Sequence, residues 1–272
     1  MAALSVLMSI YIKEKPEYVE ECFKSLLEQT EPADEWVIIE DGPLTDEVYR
    51  VLDKYQADNP GLIRRIPLPN NQGLGSALRV GVPECRNDLI ARMDTDDFSR
   101  SDRFAKQLEM FRADSSLDIC GSNIDEFEDD IHNIVAKRSV PTRHEDIVKY
   151  HKRRDGLNHV TVMFKKKAVL DAGNYESCPL MEDTYLWARM IMNGARCANI
   201  NESLVFVRIG RDMFDRRGGW SYFQKYREGR QKVLETGFIS RWDYIYTLAV
   251  QFLVALVPGK IRGVLFKKLL HR

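Results

Sequence analysis

Short apolar runs and helix-spaced apolar stripes alternate along the first hundred residues. Leu4-Ser5-Val6-Leu7-Met8-Ser9-Ile10 is a brief, mostly apolar run, the pattern of a strand covered on both faces. Pro16 stands where a first helical turn accepts proline, and Val19, Cys22, Phe23, Leu26 and Leu27 follow at helical spacing. Trp36 to Ile39 predicts a second strand, ended by Glu40-Asp41-Gly42-Pro43. Val48, Val51, Leu52 and Tyr55 mark a second helix, and Leu62 to Ile66 a third strand. A loop, Pro67 to Gly75, leads to a short helix near Ser76 to Val82. Asp88 to Met93 then predicts a fourth strand running into Asp94-Thr95-Asp96-Asp97. Strands separated by helices predict a parallel sheet with right-handed crossovers, and ligands of such sheets sit beyond the carboxyl ends of the strands. Ser9, Asp41 and the Asp94 to Asp97 cluster each fall near such an end, so three polar groups are expected to converge on one rim.

The second half is less regular. Leu117 to Phe127, Thr161 to Phe164 and Ser203 to Val207 predict strands, and Glu182 to Asn193 a helix with Leu186, Met190 and Ile191 on one side. Without internal repeats or a low-complexity linker, one domain with a C-terminal extension is expected. Within the extension, Tyr244 to Pro258 carries no charge, yet is shorter than the ~20 residues of a membrane-spanning helix. Lys260, Arg262, Lys267, Lys268 and Arg272 follow, interleaved with Ile261, Val264, Leu265, Phe266, Leu269 and Leu270. That pattern suits an interfacial helix facing anionic lipid, and a buried helical hairpin completing the core fits the same composition.

Composition narrows the class. With 40 Lys plus Arg against 41 Asp plus Glu, the net charge is -1, which argues against a general nucleic-acid binder. A hydrophobic fraction of 44% describes a folded chain rather than a disordered one. The five cysteines are scattered without a CxxC pair, so they read as reduced core thiols of a cytosolic protein, not as a zinc ribbon. Leu4 to Ile12 lacks a preceding basic segment and a following cleavage site, and reads as a buried strand rather than a signal peptide.

Each candidate constellation has two readings. Asp94, Asp96 and Asp97 would repel one another, and a divalent cation with a preference for hard oxygen ligands, manganese or magnesium, would relieve them; an Asp-rich turn capping the next helix is the alternative. Asp41 would accept from a ribose or base, or serve a plain turn. Asn70 to Arg79 opens a helix whose N–H groups suit a diphosphate, but it is neither GxGxxG nor a P-loop. Asp183 would act as a general base if it reached the same rim, or simply complement a helix N-terminus. His159 reads as structural. The pair Arg216-Arg217 suits phosphate contacts or a solvated loop.

Taken in order, these motifs resemble the family 2 glycosyltransferases, over roughly residues 3 to 220. The resemblance rests on Ser9-Ile10-Tyr11, on Glu40-Asp41-Gly42-Pro43 in place of Asp-Asp-Gly-Ser, on Asn71-Gln72-Gly73 with Arg79, on Asp94 to Asp97, and on Glu182-Asp183. Asn158-His159 with Thr161 to Phe164, the helix to Arg189, and Arg216-Arg217-Gly218-Gly219 look like bacterial surface-polysaccharide transferases of the O-antigen, capsule or exopolysaccharide type. The resemblance implies a GT-A-type α/β fold with a mostly parallel central sheet flanked by helices. Residues 1–220 would form the transferase domain, nucleotide-binding over about 1–100 and acceptor-binding over about 101–220, with 221–272 a helical, amphipathic extension.

The roles it implies are specific. Ser9 and Tyr11 would lie along the nucleotide, Asp41 would contact uracil or ribose, and Gly73 and Arg79 would border the far side. Asp94 and Asp96 would hold the metal, and Arg216 and Arg217, with Arg208 and Arg211, would hold phosphates. Asp183 would take the acceptor's proton in a single inverting displacement. The donor would be a UDP-hexose, the acceptor a lipid-diphosphate-linked saccharide at the inner membrane face, with the enzyme peripheral there. Two features depart from the pattern: Gln-x-x-Arg-Trp is absent, which disfavours a processive synthase, and no histidine lies between His159 and His271 to complete the metal site. A sugar-phosphate nucleotidyltransferase and a non-catalytic nucleotide-sugar-binding protein at the membrane surface are the rival expectations.

Overall fold

The computed structural model describes residues 3–210 and 219–256. The rim-forming half is built as the alternation requires: β1 (Leu4–Ile10), α1 (Pro16–Leu27), β2 (Glu35–Glu40), α2 (Asp46–Asp58), β3 (Ile63–Pro67), α3 (Leu74–Glu84) and β4 (Leu89–Arg92). Local chemistry sets the helix starts. Pro16 opens α1, and Thr45 Oγ1 accepts from the Val48 N–H at 3.3 Å to cap α2.

The four strands are parallel in the order β3-β2-β1-β4, with Ile10 opposite Glu40 and Leu7 opposite Arg92. The chain moves outward from β1 to β3, then returns to the other side of β1. That reversal creates a crevice at the carboxyl edge between β1 and β4. Period-two alternation divides the core into two layers. Leu4, Val6, Met8 and Ile10 pack with α1 and α2, whereas Leu7, Val37 and Ile39 pack with α3.

The remaining elements extend and cover this sheet: β5 (Phe98–Ser99), α4 (Arg103–Ala113), β6 (Leu117–Phe127), β7 (Ile134–Arg138), α5 (His144–His151), β8 (Met163–Lys165), α6 (Lys166–Asp171), α7 (Glu182–Met192) and β9 (Arg196–Arg208). Past β4 the order is β8-β6-β9-β5, with β7 on β6 and antiparallel pairs at β4–β8, β6–β8, β5–β9 and β6–β7. The fold is therefore α/β with a mostly parallel core. Two expected strands differ. Thr161 lies in a 3-10 turn, because its hydroxyl bonds the Asn158 carbonyl at 2.8 Å and accepts from the Ser122 N–H at 2.9 Å. The strand expected at Ser203 begins at Arg196, its pairing with β6 shifting register beside Ser203.

Two helices end the described chain, α8 (Trp220–Glu235) and α9 (Arg241–Leu256). A small cluster of Ala188, Val233, Phe238 and Ile239 seats α8 on α7. Helix α9 is turned the unusual way round. Its Asp243 and Thr247 are buried, while Trp242, Ile245, Tyr246, Val250, Phe252, Leu253 and Leu256 are exposed. No described helix is long and apolar enough to cross a membrane. The basic run from Lys260 to Arg272 lies outside the described residues. All five cysteines are buried and unpaired, and burial raises their thiol pKa values.

Candidate active site

Just past β4, Asp94, Asp96 and Asp97 bring one carboxylate oxygen each to within 4.8 Å of one another. The loop is braced from below and from the side. Arg92, 2% exposed, forks onto both Asp94 oxygens, its Nη1 donating to Oδ2 at 2.6 Å. The Arg208 N–H donates to Asp97 Oδ1 at 2.9 Å, and its guanidinium bonds the Asp96 carbonyl at 3.2 Å and Glu21. Beneath Arg92, Arg103 donates to the Arg92 carbonyl at 2.7 Å; burial and the Arg92 charge push it down to about 9. Arg208, expected as a phosphate contact, thus serves as a brace whose guanidinium also lies over the Tyr18 and Phe127 rings.

Electrostatically this cluster is under load. Burial, then the Asp94 charge, pushes Asp96 up to about 6. Asp97 is raised by burial and by both neighbours. Glu14, on the loop after β1, is pushed up to about 8 by burial and then by Asp96 and Asp94. Water-poor carboxylates that raise one another's pKa are the donor set a hard divalent cation would neutralise. The residues fit magnesium or manganese, and Asp97 would offer a third oxygen where the sequence offered no histidine. Sequence reasoning passed over Glu14 entirely, because a lone Glu after a strand carries no signal until the fold sets it beside the aspartates.

The Asp41 turn lies on the same rim. Both Asp41 oxygens accept backbone N–H groups, from Gln72 at 2.7 Å and Gly73 at 2.9 Å. Gly42, at φ +88°, lets Asn71 approach so closely that a Cβ would meet its nitrogen at 2.7 Å. Asp41 therefore clamps the 70–73 loop. Arg79 is held by its Nη1, which donates to the Tyr175 carbonyl at 2.8 Å. Ser9 is half-buried at the end of β1, with Tyr11 exposed just beyond. The loop reaches the next wall at Gly75, where a Cβ would lie 3.1 Å from Glu182 Cβ.

That wall is the N-terminus of α7. It follows Leu180, a non-glycine residue held at φ +63°, an αL strain of the kind that clusters at functional sites. Burial, then the charges of Asp155 and Glu182, push Asp183 up to about 7. Its side chain is still 21% exposed. Asp183 Oδ2 lies 4.0 Å from His159 Nδ1, and His159 Nε2 lies 2.9 Å from the Tyr175 hydroxyl. Burial and Arg92 hold His159 neutral, as expected of a structural histidine.

Between these walls is a cleft of about 490 Å³. Asp94, Asp97 and Arg92 line it with His159 and Thr184, the neighbour of Asp183. Its volume is in the usual range for ligand sites. Its farther lining holds Arg138, Arg153, Arg154, Arg230, Tyr222 and Tyr226, none of which sequence reasoning singled out. Arg216 and Arg217 lie outside the described residues.

Carboxylates just past β4, beside a ligand-sized cleft that the start of α7 also lines, on a mostly parallel sheet, make the arrangement of a GT-A-type glycosyltransferase. The mannosyltransferase PcManGT of Pyrobaculum calidifontis, solved with GDP-Man and Mn2+, shares this fold at a TM-score of 0.66 and 14% identity over 98% of this chain and 75% of that one. Residues 5–170 match the model of glycosyl transferase family 2, and the chain belongs to that family. Two relatives align nearly end to end. The amylovoran biosynthesis glycosyltransferase AmsE of Erwinia amylovora is 35% identical over 97% of this chain and 98% of its own length. The UDP-Gal:alpha-D-GlcNAc-diphosphoundecaprenol beta-1,3-galactosyltransferase of Escherichia coli is 34% identical, covering 98% and 96%.

Proposed function

We propose that the protein is an inverting hexosyltransferase that moves galactose or glucose from a UDP-sugar to a lipid-diphosphate-linked saccharide during bacterial surface-polysaccharide synthesis. The observation that carries this reading is the joint presence, along one cleft, of Asp94 and Asp97 from the aspartate cluster and of Met181 and Thr184 from the α7 start, next to Asp183. The E. coli relative's name supplies the substrate classes, and AmsE the setting of polysaccharide synthesis.

The donor's nucleotide lies along β1 near Ser9 and Tyr11, with its diphosphate toward Asp94 and Asp96. Asp94, Asp96 and Asp97 would hold a divalent cation, which would offset the charge of the leaving diphosphate. Asp183, ionised near neutral pH, accepts the proton of the acceptor hydroxyl. That oxygen forms a bond to the anomeric carbon as the bond to UDP breaks, and UDP leaves with the electron pair. A single displacement inverts the donor, so an α-linked UDP-sugar yields a β-glycoside.

The exposed apolar face of α9 supports a place for the enzyme at the membrane surface, where a lipid-linked acceptor resides. At ~1.5 Å per residue the helix is about 24 Å long, fit to lie on a bilayer rather than cross it. The basic residues that follow it in sequence favour anionic lipid.

The test is transfer of radiolabelled galactose or glucose from its UDP-sugar to a GlcNAc-diphospho-lipid with manganese present. Labelled lipid product is expected. If folded protein transfers no sugar from any UDP-sugar to any lipid-linked acceptor, the reading is wrong.

A further inference from the structure

The first turn of α7 is held from outside by the short segment that follows α5. Thr184, the residue after Asp183, is bonded there twice. Its hydroxyl donates to Asp155 Oδ1 at 2.5 Å, and its carbonyl lies 3.1 Å from His151 Nε2. The Gly156 N–H donates to His151 Nδ1 at 3.1 Å, so the ring proton sits on Nε2 and is given to Thr184. Burial lowers the His151 pKa and keeps the ring neutral. A buried imidazole thus fixes the backbone of the turn, and a carboxylate fixes its side chain. Asp155 and Thr184 both line the cleft. Arg138 donates to the Asp155 carbonyl at 3.2 Å and lies 4.0 Å from its carboxylate. Burial raises Asp155, but Arg138, His151 and the Thr184 hydroxyl together pull it down, so Asp155 stays anionic.

We infer that Asp155 is a positioning residue for Asp183: through the Thr184 hydroxyl it fixes the turn that carries that carboxyl, and its own negative charge favours the protonated acid there. The inference rests on the proposed role of Asp183 as the base. A hydroxyl can be held by any acceptor, an amide or a backbone carbonyl among them; only a carboxylate also adds a charge beside Asp183. The surroundings of Asp183 leave that part to Asp155. His159, at 4.0 Å, is held neutral, and burial keeps Tyr175 and Cys178 protonated. Glu182, next to Asp183 on α7, works in the same direction as Asp155, and Arg92 works against both. After burial, the charge of Asp155 does most to push Asp183 up to about 7. Asp155 in turn faces Arg138 of β7, His151 of α5, and Arg230 and Tyr226 of α8. A base poised near neutrality takes a proton from a hydroxyl and releases it again without a large penalty in either direction.

The test reads Asp183 directly, without turnover. The full chain is labelled with 13C-carboxyl aspartate and titrated by NMR, the Asp183 signal being the one lost in Asp183→Asn. Asp155→Asn keeps an oxygen for the Thr184 hydroxyl but drops the charge, and is expected to lower the Asp183 midpoint by about one unit. Asp155→Glu, which restores the charge, is expected to bring it back toward the parent value. Thr184→Val cuts the tether and lets Asp155 relax toward Arg138, so a smaller fall in the same direction is expected, and this variant decides the matter if Asp155→Asn does not fold. A midpoint that stays in place in the folded variants, with only the melting temperature lowered, would make Asp155 a structural brace and overturn the inference. The acid limb of kcat/KM is scored separately. It is expected to follow the NMR midpoint; a limb that ignores a shifted midpoint refutes Asp183 as the base, whereas the midpoint itself decides the part played by Asp155.

Discussion

The two ends of the cleft are built on opposite principles. The aspartate end sits on strand termini of a parallel sheet, over a fully buried Arg92 and Arg103, and its charges are desolvated and mutually repelling. The arginine end sits on the tip of β7, a post-helical segment and α8; apart from the buried Arg230, its side chains reach solvent. Rigid, strained acids suit a site that must hold a cation and a leaving group in one geometry. The lesson is that one cleft can join a braced, desolvated acidic end to a basic end that is more open to solvent.

The largest effects are expected at the aspartate end, and there two neighbouring acids should part company. Asp94→Ala abandons the buried Arg92 charge and is expected to cost about 3–5 kcal/mol of stability along with activity, read by denaturant unfolding. Asp96→Asn is expected to abolish manganese-dependent transfer while leaving the unfolding midpoint unchanged or raised, since it removes repulsion. Equal destabilisation by both would show that Arg92 does not depend on Asp94.

A second effect is in pH. As the proposed base, Asp183 would act only when ionised, and it is pushed up to about 7, so kcat/KM should fall about tenfold per unit below pH 7. The linkage sign follows. A carboxyl whose pKa is raised by folding costs stability once ionised, a cost absent below its unfolded value near 4 and complete above about 7. Asp183→Asn should therefore melt no lower than the parent at pH 8. A flat profile from pH 5 to 8 would remove Asp183 as the base.

Smaller changes sharpen the arginine end and its surroundings. Replacing Trp242 and Leu253 by Ser should weaken sedimentation with anionic vesicles about tenfold or more, by loss of buried apolar area, with melting unchanged because both side chains are exposed. Undiminished vesicle binding would detach α9 from the membrane reading. Smallest of all, Thr45→Ala, remote from both ends, should cost about 1 kcal/mol through the lost α2 cap and leave turnover alone.

How far the sequence reaches follows the same division. β1, β2 and β4 were legible because strands covered on both faces are nearly continuously apolar, and parallel pairing then carries Ser9, Asp41 and Asp94 to one rim. The clamp made by Asp41 was not, since its partners are backbone N–H groups more than thirty residues on, and Arg79 points to Tyr175 for reasons of tertiary packing. Arg138, Arg153, Arg154 and Arg230 share no spacing that marks a site. The reversed polarity of α9 was hidden for a like reason: Asp243 turns inward to meet Arg153, ninety positions away.

The claim at the centre is that Asp183 is the base facing the cation end across one cleft. Single-turnover transfer by Asp183→Asn, at saturating UDP-sugar and acceptor with manganese, measures it most directly. The expected result is a loss of about 10²–10⁴-fold in rate with UDP binding intact and the dependence on pH near 7 gone. Turnover equal to that of the parent would contradict it.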